Sequence, residues 1–163
     1  MPEPRTLFDF SDPETAARWR SVNDVVMGGQ STGAMACEDG VGVFAGHVSL
    51  DGGGFASVRA PEDAYDLGGA EGLQLRVRGD GKQYQLSLYT QGAGSISYRA
   101  RFTAPPDWQS LTIPFDALAP RFRGRPAPDA PPFNPGAVVS MGFLIADEQG
   151  GPFRLEVAHI RAV

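Results

Sequence analysis

The chain has 163 residues, enough for a single domain that buries about 70% of the surface of its unfolded chain. Its 14 basic and 19 acidic residues leave a net charge of −5, which argues against nucleic acids and anionic membranes as general partners. The single cysteine, Cys37, excludes an intramolecular disulfide, and two histidines are too few for the usual Cys/His zinc sites.

The N-terminal sequence MPEPRTLFDF does not look like a targeting segment. It carries acidic residues and prolines where a secretory signal has a basic region and a long apolar run, and it is not Arg-rich as transit peptides are. No run of 18 apolar residues occurs in the sequence, so we expect no direct membrane insertion. These features predict a cytoplasmic protein.

The first predicted elements are a short strand and a short helix. Residues 6–10 alternate in a way that is typical of a strand. Pro13 suits the first position of a helix that Ser11 or Asp12 would cap, because a proline there loses no helical hydrogen bond. We expect this helix to end near Trp19.

The segment from Trp19 to Gly33 (WRSVNDVVMGGQSTG) is too polar and too rich in glycine to be core throughout. Two interpretations are open. In one, the segment is a tight double turn in which the side chains of Asn23 and Asp24 bond to nearby backbone. In the other, it is a loop that presents Asp24, Met27 and Ser31 at the rim of a rigid scaffold, where binding residues often collect.

Beyond Gly33 the sequence alternates between apolar and polar residues, with turn signals at short intervals. Residues 51–53 (Asp-Gly-Gly) predict a hairpin between the first two strands. About ten short strands with hardly any helix predict an all-β fold, and a jelly-roll sandwich fits best because its two sheets each need one apolar face. The main predicted strands are residues 41–50, 54–59, 73–78, 84–88, 96–102, 111–115, 138–145 and 153–160.

Residues 120–136 differ from the sequence around them. They hold six of the fourteen prolines together with Arg121, Arg123 and Arg125. Because proline cannot donate a hydrogen bond to a β-ladder, we expect an ordered excursion or a mobile flap at the edge of a single domain that covers residues 1–163.

One motif has the form of a catalytic site. Gly29–Gly33 (GQSTG) matches the pattern of a nucleophile elbow, in which a strand-to-helix turn exposes a serine to a histidine. The context does not fit, because residues 34–40 are too few for the required helix before the next turn and no β-α alternation follows. A serine esterase using Ser31 is therefore a remote alternative.

Signals for metals and cofactors are weak. Residues 79–82 (GDGK) lack the spacing of a phosphate-binding loop and predict a turn. Calcium held by Asp24 or Glu156 is conceivable in a sandwich, but no spacing typical of a calcium loop accompanies them. We expect no enzymatic activity, no cofactor and no metal site.

Arginines at alternating strand positions predict a basic stripe beside tyrosines. Arginine at a sheet surface can bind a carboxylate through two nitrogens or stack on an aromatic ring. A solvated face whose arginines pair with cross-strand acids is an equally weighted alternative. The residues of the stripe are Arg59, Arg76 and Arg78, with Tyr84, Tyr89 and Tyr98 beside them.

Several motifs occur in an order that resembles a known family. They include VNDVVMGGQS at 22–31, GGFASVR at 53–59, RGDGKQY at 78–84 and GPFRLE at 151–156. Together they are similar to the complex I intermediate-associated protein family, its thirty-kilodalton class, along nearly the whole chain.

This resemblance implies a galactose-binding-like jelly-roll sandwich and a non-enzymatic protein-binding domain. Mitochondrial members of the family hold membrane-arm intermediates of NADH:ubiquinone oxidoreductase during assembly, so complex I subunits or intermediates are the implied protein partners. Because the sequence shows no transit peptide or long N-terminal extension, we expect a bare bacterial version of the domain. A carbohydrate-binding module of the same sandwich type is the alternative function.

The resemblance also suggests a binding surface made of the Gly-rich loop and neighbouring strands. Arg59 and Asp80 are the expected polar anchors and Phe55 the apolar one. Asp24 has a structural alternative, in which it pairs with Arg59 or Arg78 and pins the loop. The candidate residues are Asn23, Asp24, Met27, Gly28, Gly29 and Ser31 in the loop, with Phe55, Arg59, Arg78, Asp80 and Tyr84 in or next to the strands.

Overall fold

The strands of this chain form two antiparallel sheets. The computed structural model describes residues 4–23, 31–50, 54–122 and 125–163. These ranges contain thirteen strands: β1 (Arg5–Asp9), β2 (Arg20–Ser21), β3 (Thr32–Glu38), β4 (Val41–Val48), β5 (Ala56–Arg59), β6 (Gly72–Gly79), β7 (Gln83–Thr90), β8 (Ile96–Thr103), β9 (Gln109–Pro114), β10 (Ala119–Phe122), β11 (Arg125–Pro126), β12 (Val138–Ile145) and β13 (Gly151–Ala162). A short helix, α1 (Pro13–Ala17), follows β1, and two 3-10 turns cover Phe115–Ala117 and Pro135–Ala137.

The first sheet has the order β3-β4-β13-β6-β9, with β1 added beside β13. The second sheet has the order β11-β10-β8-β7-β12-β5-β2. In the first sheet, β13 pairs with β4 through residues 151–157 and with β1 through residues 159–162. Two sheets packed face to face make a sandwich, so the predicted all-β class is confirmed.

The core lies between the sheets because each central strand turns one face inward. In β6, Leu73, Leu75 and Val77 are fully buried, while Gln74 and Arg76 between them are partly exposed. This is the alternation that the sequence shows. The inward face of β7 in the other sheet carries Tyr84, Leu86 and Leu88.

The N-terminal helix begins where its capping residues predict. Pro13 occupies the first turn, and the side chain of Asp12 accepts a hydrogen bond from Glu14 N at 3.0 Å. Asp12 is therefore the cap, and Ser11 instead donates its hydroxyl to the carboxylate of Asp9 at 2.7 Å. Of the helices in the described ranges, none is long and apolar enough to cross a membrane.

One prediction about the strands is wrong, and one strand was not predicted. The strands β4 and β5 do not form a hairpin, because β4 lies in the first sheet and β5 in the second. Residues 51–53, which suggested that hairpin, are outside the described ranges. The sequence analysis also missed β3, where Gly33 and Met35 are buried but Cys37 is only partly so, which makes the alternation weak.

The proline-rich segment extends the second sheet at its edge. The strand β10 pairs with β8, and β11 pairs back on β10. Tyr98 donates its hydroxyl to Pro131 O at 2.6 Å, and the ring of Phe133 packs on Tyr98 with centroids 5.2 Å apart. These contacts favour the ordered excursion over the mobile flap for the described part of the segment.

Candidate functional site

The Gly-rich loop is described only at its two ends. Asn23, at the first end, donates from Nδ2 to Gly33 O at 3.2 Å and accepts from Ser57 N at 3.2 Å through Oδ1. Because Gly33 belongs to β3 and Ser57 to β5, Asn23 ties the two sheets together. Of the candidate binding residues in the loop, Asp24, Met27, Gly28 and Gly29 lie outside the described ranges, and their binding role stays a prediction.

Ser31, at the other end of the loop, lies in the interior. Its side chain is fully buried, and its hydroxyl accepts from Ser49 N at 2.9 Å and donates to Ser49 O at 3.3 Å. The next residue begins a strand, β3, and not the helix that a nucleophile elbow requires. This arrangement gives Ser31 a role in joining two chain segments.

Asp80 and Tyr84 form a polar network at the turn between β6 and β7. The Tyr84 ring is buried in the core, and its hydroxyl donates to the Asp80 carboxylate at 3.0 and 3.1 Å. Asp80 also accepts from the backbone N of Lys82 at 3.0 Å and of Arg154 at 2.9 Å. Burial and the negative charge of Asp80 raise the pKa of Tyr84, so its phenol stays protonated.

Arg78 lies on the first sheet and interacts with residues of that sheet. Its guanidinium donates to Glu156 and lies 5.0 Å from the centroid of the Trp108 ring. Glu156 also accepts from Arg154 Nη2 at 3.1 Å. The hydrogen bond from Arg78, followed by that from Arg154, lowers the pKa of Glu156, so this carboxylate is ionised and already neutralised by two cations.

The predicted basic stripe is not assembled as expected. Arg76 and Arg78 lie on β6 in the first sheet, whereas Arg59 lies on β5 in the second. Tyr98 is buried, as is Tyr84. The part of the stripe that forms is the contact between Arg59 and Tyr89, and Phe55 lies half-buried just before β5.

A different basic surface lies on the outer face of the second sheet. Residues paired across neighbouring strands share a face, and one row of pairs runs from Arg59 to Gly142, from Gly142 to Ser87 and from Ser87 to Arg99. The two arginines are three strands apart, roughly 14 Å between backbones at the usual strand spacing. Gly142 and Ser87 are small, so they form a low floor between the two long side chains.

We call this surface the arginine groove and define it by Arg59, Arg99, Arg101 and Arg121 with Gln85 and Ser87. A pocket of about 180 Å³ opens at its β7-β8-β10 side and is lined by Gln85, three of the arginines and small alanines. The protein has a net charge of −5, so a surface with four arginines differs in sign from the chain as a whole.

One wall of the groove is neutralised within the chain. Arg101 donates to both carboxylate oxygens of Asp147, from Nε at 3.0 Å and from Nη2 at 3.1 Å. Gln85 Nε2 lies 3.4 Å from Asp147 Oδ2. The hydrogen bonds from Arg101 lower the pKa of Asp147 and raise the pKa of Arg101, so both groups stay charged.

Arg99 and Arg59 have no such carboxylate among the described residues. Arg99 donates from Nε to Ser97 Oγ at 2.8 Å. Burial is the main cause that lowers the pKa of Arg99, and the positive charges of Arg121 and Arg59 lower it further. Three arginines therefore stand close enough to repel one another, a situation that a bound anion would relieve.

Two buried polar atoms in the same row have no hydrogen-bond partner within the described chain. They are Arg59 Nε and Ser87 Oγ. A buried donor without a partner destabilises a protein by about 1–3 kcal/mol, and native proteins contain few of them. Both atoms lie at the floor and side of the groove, closed off from solvent.

Comparison with a family model shows where this chain belongs. Residues 8–157 match the model of Complex I intermediate-associated protein 30. The chain is a member of that family. The resemblance stated from the sequence motifs is therefore confirmed.

Two relatives in the family align with almost the whole chain. Complex I intermediate-associated protein 30, mitochondrial, of Drosophila melanogaster is 30% identical over 97% of this chain and 62% of its own length. The Mus musculus protein of the same name is 26% identical over 98% of this chain and 56% of its own length. This chain thus spans roughly three fifths of the relatives that it matches.

These names correct the predicted location and origin. The expectation of a bacterial, cytoplasmic protein is wrong, because the relatives are named mitochondrial proteins and come from animals. The comparison points to the mitochondrion. The prediction rested on the first residues of the chain, and the absence of a transit signal there does not report where family members work.

A solved structure shows the same architecture. The family 11 carbohydrate-binding module of a cellulosomal cellulase from Clostridium thermocellum superimposes with a TM-score of 0.76 over 99% of this chain and 94% of that chain. The two sequences are 16% identical, so the likeness concerns the fold alone. It confirms the jelly-roll form of the sandwich.

The arginine groove was not found from the sequence, although part of its signal is visible. In Ser97–Phe102 (SYRARF), Arg99 and Arg101 alternate with apolar residues and therefore share one face of β8. The sequence does not show that β8 lies three strands from β5, because β7 and β12 separate them in space.

Proposed function

We propose that this domain is a non-enzymatic protein-binding domain that acts in the assembly of respiratory complex I. The observation that carries the proposal is the family match over residues 8–157, together with relatives named as complex I intermediate-associated proteins. Because the chain spans only part of those relatives, the proposal concerns what one sandwich can do, which is to bind a subunit or an intermediate.

The arginine groove supports a binding role on physical grounds. The alternative of a solvated face whose arginines pair with cross-strand acids holds for Arg101, which pairs with Asp147. Arg59 and Arg99 lack such an acid among the described residues, and within the same part of the chain the buried Nε of Arg59 has no hydrogen-bond partner. Arginine is also among the residues most enriched at the centres of protein interfaces.

The Gly-rich loop is proposed as the second part of this surface. Its first end lies beside the edge of the second sheet, since Val22 N donates to Ser57 O at 2.9 Å and Asn23 also bonds to Ser57. Arg59 is two residues further along the same strand. In this proposal Asp24, Met27, Gly28, Gly29 and Phe55 contribute to binding the same partner.

The carbohydrate-binding alternative has weaker support. Sugar-binding faces commonly offer an uncovered aromatic ring. Among the described outward-facing residues of β5, β7, β8 and β12, the aromatic side chain is Tyr89, and the Arg59 guanidinium covers its ring at 4.3 Å. A fold shared with a carbohydrate-binding module does not by itself provide an uncovered aromatic ring on this face.

The proposed function is tested by affinity capture from the native cell, with complex I subunits identified by mass spectrometry. We expect the wild type to capture them, and Arg59→Gln and Asp24→Ala to capture at least about fivefold less. Arg18→Gln is the matched control, because Arg18 directly follows α1 and, among the described residues, pairs with Glu14 in an exposed ion pair.

Each variant is first shown to melt cooperatively, so that lost capture reports lost contact. The proposal is abandoned if the wild type captures no complex I subunit above an unrelated sandwich domain. The non-enzymatic part has its own test: a fluorophosphonate probe is expected to leave Ser31 unlabelled, because its hydroxyl is buried.

A further inference from the structure

The arginine groove has features that select one class of ligand. We propose that it binds a side-chain carboxylate of an acidic peptide segment, held between Arg59 and Arg99 above the Ser87 hydroxyl. The inference rests on the proposed function in one respect, since the acidic segment would belong to the protein partner. The recognition chemistry itself can be measured without that partner.

The free donors define where the carboxylate would lie. Arg99 uses Nε on Ser97, and its two terminal nitrogens make no hydrogen bond within the described residues. The Arg59 side chain contacts Tyr89 through its guanidinium, and its buried Nε has no hydrogen-bond partner in the part of the chain that the structure describes. Ser87 adds a buried hydroxyl between them. A carboxylate would supply acceptors to the terminal nitrogens of Arg99 and would bring negative charge next to the Arg59 guanidinium.

The geometry suits a planar acid. A guanidinium presents two parallel N–H groups that match the two oxygens of a carboxylate, and such paired bonds are stronger than neutral ones. The residues between the two arginines, Gly142 and Ser87, have small side chains. A pocket of about 180 Å³ beside Arg99 has room for a short side chain and its peptide backbone.

The surrounding charge favours a monoanion over phosphate. The negative charge of Asp147 lies near Arg99 and partly offsets the lowering of the Arg99 pKa by burial, so one wall of the groove is already negative. A phosphate dianion would bring a second negative charge toward Asp147, whereas a carboxylate brings one. The overall charge of −5 further opposes a polyanionic ligand such as nucleic acid. These charges therefore favour an acidic peptide over phosphate or nucleic acid.

The test is an NMR titration of the ¹⁵N-labelled domain with the blocked peptide acetyl-Gly-Glu-Glu-Gly-amide at low salt. The control peptide replaces both glutamates by glutamine. We expect saturable shifts in the backbone amides of β5, β7 and β8 with the glutamate peptide and none with the glutamine peptide. Raising the salt to about 150 mM should weaken binding, because the contacts are ionic.

Variants assign the binding to the groove. Arg99→Gln should lower the affinity at least about tenfold, since it removes a charge-assisted pair of hydrogen bonds. Arg99→Lys should have an affinity between those of the wild type and Arg99→Gln, because lysine keeps the charge but lacks the two parallel N–H groups of arginine. Arg18→Gln should stay within about twofold of the wild type. Arg59→Gln provides a second groove variant should Arg99→Gln fail to melt cooperatively.

Several outcomes would overturn the inference. Equal binding of the glutamine peptide would remove the role of charge, and shifts confined to the first sheet would remove the role of the groove. Inorganic phosphate binding more tightly than the glutamate peptide would assign the groove to phosphate instead.

The peptide titration tests the carboxylate site and the capture experiment tests the proposed function, so one proposal can fail while the other holds. If Arg99→Gln loses the peptide but still captures complex I subunits as the wild type does, the acidic segment does not belong to the partner, and the proposed function stands. If the wild type binds the peptide but captures no such subunit, the carboxylate site stands and the proposed function fails.

Discussion

The guanidinium carbon of Arg59 lies 4.3 Å from the centroid of the Tyr89 ring, on the outer face of the second sheet. Such a cation-π contact contributes about 0.5–1 kcal/mol at a partly exposed site. Its consequence here is geometric, because the ring holds in place a side chain whose Nε has no hydrogen-bond partner in the described chain. Tyr89 is therefore a positioning residue for the arginine groove.

Removing the Tyr89 ring should leave the Arg59 side chain less fixed in its conformation. We expect Tyr89→Ala to lower the affinity for the glutamate peptide about threefold and to lower the free energy of unfolding by about 1 kcal/mol. Tyr89→Phe keeps a ring under the guanidinium and should bind within about twofold of the wild type. The NMR titration and urea unfolding measure the two effects, and equal affinity in Tyr89→Ala would contradict the positioning role.

Neutralising Asp147 should strengthen anion binding. The carboxylate of Asp147 neutralises Arg101 through two hydrogen bonds, so Asp147→Asn adds one net positive charge to the groove. We expect the glutamate peptide to bind a few times more tightly, with a steeper dependence on salt. Asp116→Asn, an exposed acid outside the groove, is the control for the change in net charge. Unchanged affinity in Asp147→Asn would show that this wall does not face the ligand.

Asn23 should stabilise the fold by joining the two sheets. Asn23→Ala removes its bonds to Gly33 O and Ser57 N, which should lower the free energy of unfolding by about 1–3 kcal/mol. Asn134→Ala is the control, because Asn134 caps an exposed 3-10 turn through a single bond to Gly136 N. An Asn23→Ala variant that unfolds like the wild type but captures no partner would assign Asn23 to binding instead.

Gly142 should tolerate no side chain. A Cβ at this position would lie 2.2 Å from Val58 O, and the backbone of β12 is held between β5 and β7. We expect Gly142→Ala to lower the free energy of unfolding by about 1–3 kcal/mol or more, as overpacking does. Gly136→Ala is the matched control, since its nearest contact would be 3.4 Å. Urea unfolding of the two variants compares them directly.

Glu156 should contribute to stability at neutral pH and lose that contribution in acid. The hydrogen bonds from Arg78 and then Arg154 lower its pKa below the ordinary 4.5. The unfolded chain therefore takes up this proton first as the pH falls below about 4.5, and the stabilisation disappears as the pH passes the folded pKa. Glu156→Gln should lower Tm by a few degrees at pH 7 and flatten the acid side of the stability curve.

The control for this prediction is Glu38→Gln, because Glu38 meets Arg154 in a more exposed pair at 3.3 Å. Its Tm should change little. A Glu156→Gln variant with the same pH profile as the wild type would show that the arginine pairs contribute nothing measurable.

Much of the local structure could be predicted from sequence. The alternation of Leu73, Leu75 and Val77 is sufficient for a half-buried strand, since only one face of a strand can meet the core. Pro13 and Asp12 predicted the start of α1 for a similarly local reason. The family was recognised from motifs that lie within single strands and turns.

The candidate site depended on relationships that no local pattern contains. Arg59 and Arg99 are far apart in the chain and meet on one face only because β5, β12, β7 and β8 are neighbours. Asp80 and Ser31 have the polar character of binding residues, yet the fold supplies their partners internally.

The sequence by itself therefore determined which residues of the clearly alternating strands face inward, where α1 begins, and the family to which the chain belongs. The tertiary structure alone decided which strands share a sheet and which arginines have no acid partner among the described residues. The physical reason is that side-chain alternation is a property of one strand, whereas pairing and charge neutralisation depend on segments that packing brings together from distant parts of the chain.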